Sequence, residues 1–130
     1  MRQLTVQDKA NIGHILQQFP LTVTADAISV ATLIRLRVTQ EVERYNLDPS
    51  GGFRGLVQLS HGEVARNGHR IVQRRRIDPE AQVQRALEAF GEGGFILLVN
   101  DRQVEHLDEM IAVDDTTRST FKRLVPLVGG

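Results

Sequence analysis

The chain has 130 residues, with sixteen basic and sixteen acidic side chains and a formal net charge of zero. A hydrophobic fraction of 41% and a charged fraction of 25% are those of one globular domain rather than a disordered chain. The charge balance argues against a polyanionic partner such as nucleic acid, and the absence of cysteine excludes disulfides, a cysteine nucleophile and a cysteine zinc site.

The start, MRQLTVQDKA, has no apolar core of the signal-peptide kind. No apolar run reaches the roughly 20 residues that cross a bilayer as a helix, so no membrane association and a cytoplasmic location are expected. Leu4–Lys9 alternates weakly and predicts a first strand. NIGHILQQFP is a turn of helix or a connection. Leu21–Ala27 (LTVTADA) alternates and is rich in β-branched residues, which predicts a second strand. Val30, Leu33, Ile34, Val38, Val42 and Tyr45 then recur at steps of three or four. This is an amphipathic helix capped by Ser29, with Arg35, Arg37, Glu41, Glu43 and Arg44 mostly off its apolar stripe. Asn46, Asp48, Pro49 and Gly51-Gly52 stop it. The stripe is expected to lie against a sheet containing Phe95–Val99.

Residues 50–78 carry weaker signals: a short strand in FRGLVQL and a hairpin across Asn67-Gly68. Asp78-Pro79-Glu80 opens a second helix, with an N-cap residue, proline at the first helical position and an acid in the first turn. Val83, Ala86, Leu87 and Phe90 form its stripe, and Gly91 closes it. GGFILLVNDRQVEHL predicts a buried strand, a turn at Asn100-Asp101 and a second strand from about Gln103. DEMIAV is a short helical turn or a stub of strand, and Asp114-Asp115 marks a turn. TRSTFKRLVPL is a last strand that Pro126 ends. The pattern is α+β.

Few residues suggest catalysis. His14, His61, His69 and His106 are scattered without metal-ligand spacing, so no metal and no cofactor are expected. Asp108-Glu109 and Asp114-Asp115 suit turns and caps better than acid–base work. GEGGF follows a helix and precedes a strand, the reverse of a phosphate loop, and ends the helix. Arg66, Arg70, Arg74, Arg75 and Arg76 gather in RNGHRIVQRRR; they form a solvated loop or a docking patch for an acidic partner or RNA, though no aromatic is interleaved to stack on bases.

Three stretches carry a resemblance to a known family. LTVTADAISVATLI resembles a second strand running into a long helix. ILLVNDRQVEHLDEMI is similar to a strand–turn–strand with asparagine at the bend. STFKRLVPLVGG resembles a last strand, a proline and a tail that finishes in Gly-Gly. Together they resemble the ubiquitin-like β-grasp family, in particular the small sulfur carriers and ubiquitin-like modifiers with a C-terminal diglycine. The resemblance implies one domain over 1–130, a mixed sheet packed on one long helix, with an inserted excursion and second helix at about 50–92 and a flexible tail from about 126. Residues 50–92 have no counterpart in the compact members.

The family's function is implied with it. Gly130 is expected to be the reacting terminus, activated by a partner adenylating enzyme for protein conjugation or sulfur transfer as a thiocarboxylate. Gly129 gives clearance in a narrow channel because it has no Cβ. Leu124, Pro126, Leu127 and Val128 are expected to be recognised by the partner. The chain is then a substrate and not an enzyme; a target protein or a sulfurtransferase completes the set of partners. The alternative is a non-covalent β-grasp protein-binding module that uses a surface patch and leaves the tail idle.

Overall fold

The computed structural model describes residues 2–10, 12–53, 55–57 and 76–124. They form two compact units, the described residues of 1–33 and 89–130 in one and those of 34–88 in the other. The architecture is α+β. Strands β1 (Arg2–Lys9), β2 (Ile15–Val23), β3 (Ala27–Ser29), β4 (Phe95–Val99), β5 (Arg102–Val104), β6 (Met110–Ala112) and β7 (Arg118–Arg123) all belong to the first unit. Helix α1 (Val30–Leu47) begins in it; helix α2 (Pro79–Gly91) ends in it. No helix among the described residues is long and apolar enough to cross a membrane.

Five strands pair in the order β2-β1-β7-β4-β5, and β3 and β6 make a separate two-stranded ribbon. The sheet is mixed: β7 runs parallel to β1, and the other pairs are antiparallel. Side chains alternate faces along a strand, so the register sorts the sheet. One face carries Leu4, Val6, Leu21, Leu97, Val104 and Phe121, all buried. The other carries Thr5, Gln7 and Lys9 on β1 beside Arg118, Thr120 and Lys122 on β7. The rings of Phe90, Phe95 and Phe121 form a chain with centroids 5.9 and 5.8 Å apart. Val30 and Leu33 are buried within the first unit.

The first hairpin is longer than the sequence suggests. ILQQFP belongs to β2, and LTVTADA splits into the end of β2, a bend at Thr24–Asp26 and β3. Pro20 does not break the strand, because β2 is at the sheet edge. Thr5, its register partner, sends its N–H to Thr117 O at 2.9 Å on the β7 side. The Thr5–Pro20 pair is therefore not hydrogen-bonded, and the proline nitrogen faces the open edge, where no donor is needed. DEMIAV resolves as strand β6: Met110–Ala112 pairs with Ala27–Ser29.

Local signals account for the helix ends. Ser29 Oγ accepts from Thr32 N at 3.1 Å and caps α1, while Val30 N and Ala31 N donate to the Glu109 and Leu107 carbonyls, each at 2.9 Å. Asp78 Oδ1 accepts from Glu80 N, with Pro79 at the first position of α2. Gly91 is the last helical residue rather than the stop. The turn is made by Gly93, at φ 78, with Gly93 N donating to Phe90 O and Gly94 N to Ala89 O. A left-handed residue followed by this pair of bonds is a Schellman ending.

In the second unit, Ile34, Val38, Val42, Leu56, Ile77, Val83 and Ala86 are buried. Arg37, expected on the polar side of α1, is 0% exposed. Its Nε and Nη2 donate to Glu41 Oε2 at 3.2 and 2.9 Å, and Glu41 Oε1 accepts from Leu56 N. A guanidinium is tolerated inside a fold when a carboxylate pairs with it. Asn46 lies inside α1 instead of ending it. Its amide brackets Ile77, accepting from Ile77 N at 2.8 Å and donating to Ile77 O at 3.0 Å. No strand forms over Phe53 or residues 55–57. Asn67-Gly68 lies outside the described residues.

Asn100 and Asp101, at φ 50 and 70, make the predicted β4–β5 turn. Two left-handed residues suit the twist of a tight hairpin. Asn100 also joins the sheet: its N donates to Arg118 O at 2.9 Å, and its Oδ1 accepts from Arg118 N at 2.8 Å. Asn100→Ala keeps the left-handed backbone, removes the residue best suited to it, and takes the acceptor from Arg118 N. A loss of about 1–2 kcal/mol is expected. A denaturant melt checks it; a midpoint equal to that of the wild type would show the turn contributes nothing.

Candidate functional site

The sheet end at which β7 finishes holds the residues of interest in the first unit. There β1 and β7 finish side by side, and β2 begins after the Ala10–His14 turn. Ala10 N donates to His14 O at 2.8 Å, and Gly13, at φ 97, takes the left-handed position of that turn. Asp8 pairs in register with Gln17, but Lys9 pairs with Ile15, so Leu16 is the extra residue of a β-bulge.

Under this end, on the buried face, is a charged anchor. Asp8 is fully buried; its Oδ2 accepts from Gln17 Nε2 at 2.6 Å and lies 3.7 Å from Arg123 Nη2. Arg123 is the last residue of β7, so this ion pair holds the strand's end to β1. A buried carboxylate is stable only when so compensated. On the opposite face a polar row crosses three strands: Gln7 Nε2 donates to Gln18 Oε1 at 2.8 Å, and Thr120 Oγ1 lies 3.4 Å from Gln7 Oε1. The next row on that face holds Lys9 and Lys122, the chain's two lysines, which are register partners on adjacent strands.

Of the expected site residues, Leu124 is described. It stands exposed directly after β7. Pro126, Leu127, Val128, Gly129 and Gly130 lie outside the described residues. So do Arg66, Arg70, Arg74 and Arg75 of the arginine cluster, while Arg76 is exposed one residue before Ile77. His14 and His106 are exposed and 92 residues apart in sequence; His61 and His69 lie outside the described residues.

One acid of each pair, Glu109 and Asp114, holds a loop. Glu109 Oε2 accepts from Glu105 N at 2.7 Å and His106 N at 3.0 Å, and those N–H groups, with Arg102, hold its carboxyl below the usual range. The Thr116 hydroxyl and N–H do the same for Asp114. Both groups stay ionised and hydrogen-bonded, which suits a cap and not a proton donor. What the sequence did not reveal is the juxtaposition of Lys9 with Lys122 and of Asp8 with Arg123. Each pair is more than a hundred residues apart in the chain, and only the parallel register brings it together. Compared with protein-family models, curated proteins and solved structures, the chain matches none.

Proposed function

We propose that this chain is a ubiquitin-like β-grasp carrier whose Gly130 carboxylate is activated by a separate adenylating enzyme. The observation that carries the reading is the sheet order. A first hairpin, a long helix, a second hairpin and a last strand that pairs parallel to the first in a mixed sheet are compatible with the β-grasp resemblance. The parallel pairing also puts the end of β7 at one end of the sheet, where Leu124 is exposed.

The chemistry assigns this chain the part of substrate. The Gly130 carboxylate oxygen attacks the α-phosphorus of ATP, pyrophosphate leaves, and an acyl-adenylate forms. Hydrosulfide or an amine then displaces AMP, giving a thiocarboxylate or an amide. Gly129 and Gly130 let the backbone pass close channel walls and take any φ, ψ demanded. Leu124, Pro126, Leu127 and Val128 supply apolar grip away from the reacting carbon. The test is ATP–pyrophosphate exchange by a candidate adenylating enzyme with and without this chain. Intact mass should show the acyl-adenylate or its product on Gly130. Exchange that does not depend on the chain, across the adenylating enzymes of its source, would leave the binding-module reading in its place.

A further inference from the structure

We propose that Asp8 is a positioning residue for activation of the tail. Through Arg123 it holds the last residues of β7 in the sheet, and so sets how long a stretch of chain an adenylating enzyme must order before Gly130 reaches its active site. This rests on the carrier reading, and it adds a residue of the first strand to a function assigned above to the tail.

The end of β7 is weakly packed. Phe121 is the last fully buried side chain of the strand; Lys122 and Arg123 are half-buried and Leu124 is exposed. The register closes at the same place, with Lys9 opposite Lys122 on one side and Phe95 opposite Arg123 on the other. Lys9 and Lys122 are like charges directly beside each other, which disfavours the last pairing of β1 with β7. A strand end with few buried contacts opens at small cost. The Asp8–Arg123 pair acts against that opening. Asp8 is the register partner of Phe121, and Arg123, two residues on, returns to the same face. Its guanidinium reaches back to the carboxylate, with Nη2 3.7 Å from Oδ2. Gln17 Nε2 fixes that carboxylate from β2 at 2.6 Å, so the end of β7 is tied across two strands.

Stability alone does not call for a carboxylate here. Asp8 follows the buried Leu4 and Val6 on the inner face of β1, where an apolar side chain would continue the core. Exchange of a buried ion pair for apolar residues of similar volume is often neutral or stabilising; the better attested use of such pairs is to fix register. Register at the end of β7 decides how much chain is left to the enzyme. Six residues, 125–130, follow Leu124. If β7 opens back to Phe121, three more, 122–124, must be ordered before Gly130 is seated. Each residue ordered lowers affinity by about fivefold or more.

The experiment measures pyrophosphate exchange against carrier concentration, using the adenylating enzyme that activates the wild-type chain. Asp8→Asn removes the charge and keeps the size; Asp8→Leu/Arg123→Met replaces the whole pair and avoids leaving either charge alone. Both should raise KM by about tenfold and leave kcat within about twofold, because the chemistry at a seated Gly130 is unchanged. Arg123→Lys, which keeps the charge, should raise KM by less than either. Asp101→Asn, which loosens the ion pair at the beginning of β7, should behave as wild type. The Leu/Met variant should melt no lower than wild type. Amide hydrogen exchange of the chain alone gives a second readout: positions 122 and 123 should exchange about tenfold faster than in wild type, relative to Thr120. If either variant at Asp8 keeps KM within about twofold of wild type, Asp8 does not position the tail, although the carrier reading stands. A KM that rises only in step with a lost melting temperature would make the pair merely structural and overturn the proposal. Unchanged exchange at 122 and 123 would overturn it too. If no adenylating enzyme activates the wild-type chain, the carrier reading fails and takes this proposal with it.

Discussion

Deletion of Gly130 should reduce chain-dependent pyrophosphate exchange to background. The reacting carbon would move back by one residue, out of reach of the α-phosphorus, and an enzyme that gains rate from positioning loses it when the carboxylate is displaced by a residue's length. Gly129→Val should come close to the same loss for a different reason. A β-branched residue restricts φ and ψ and adds bulk where a channel is narrowest. Gly129→Ala, with one methyl group, should fall between. None of the three should move the melting curve, since the last residues of a domain contribute little to its stability. Activity equal to wild type in the first two variants would refute activation at Gly130 and favour a non-covalent binding module. Loss of activity that tracks loss of folding would do the same.

The second large effect concerns the fold. Phe121→Ala should destabilise the protein by about 3–5 kcal/mol, as truncation of a buried aromatic does. Phe121 is fully buried on β7, the central strand; it sits in register with Leu97 on one side and Asp8 on the other, with its ring centroid 5.8 Å from that of Phe95. A cavity there has two strands and an aromatic neighbour to collapse, so it should relax poorly. Equilibrium denaturation with an unchanged slope measures the loss. A shift below about 1 kcal/mol would mean that the ring packs against less than the geometry indicates.

Much of the secondary structure was legible because it is local chemistry. The Ser29 cap, Asp78-Pro79, the Asn100-Asp101 turn and the β4 apolar run are each set by neighbouring residues, and each stands where the sequence points. What failed was context. NIGHILQQFP read as a turn of helix or a connection, but ILQQFP pairs along the sheet edge, where Pro20 needs no donor. Arg37 read as solvated because it is charged, although it lies three residues after Ile34 and seven after Val30, on the apolar stripe itself; its burial depends on Glu41 one turn away. The candidate site was legible only in part. Leu124 is exposed, but Lys9 and Lys122 are 113 residues apart, and no periodicity reports that they meet. Pairing between distant strands is information that a chain carries collectively, not in any window of it.

The parallel β1–β7 ladder has a mechanical consequence. Thr5–Lys9 pairs with Arg118–Lys122, and the N-terminal end of one strand and the C-terminal end of the other lie at opposite ends of the ladder. Tension applied between Arg2 and Leu124 therefore runs along the strands and loads their bonds in shear, all at once. Tension that separates the open ends of the β4–β5 hairpin peels its bonds singly. Single-molecule pulling should require a distinctly higher force in the first geometry than in the second; equal forces would show that the ladder does not bear the load. A machine that grips the end of this chain and pulls would meet its strongest resistance at the strand it grips first.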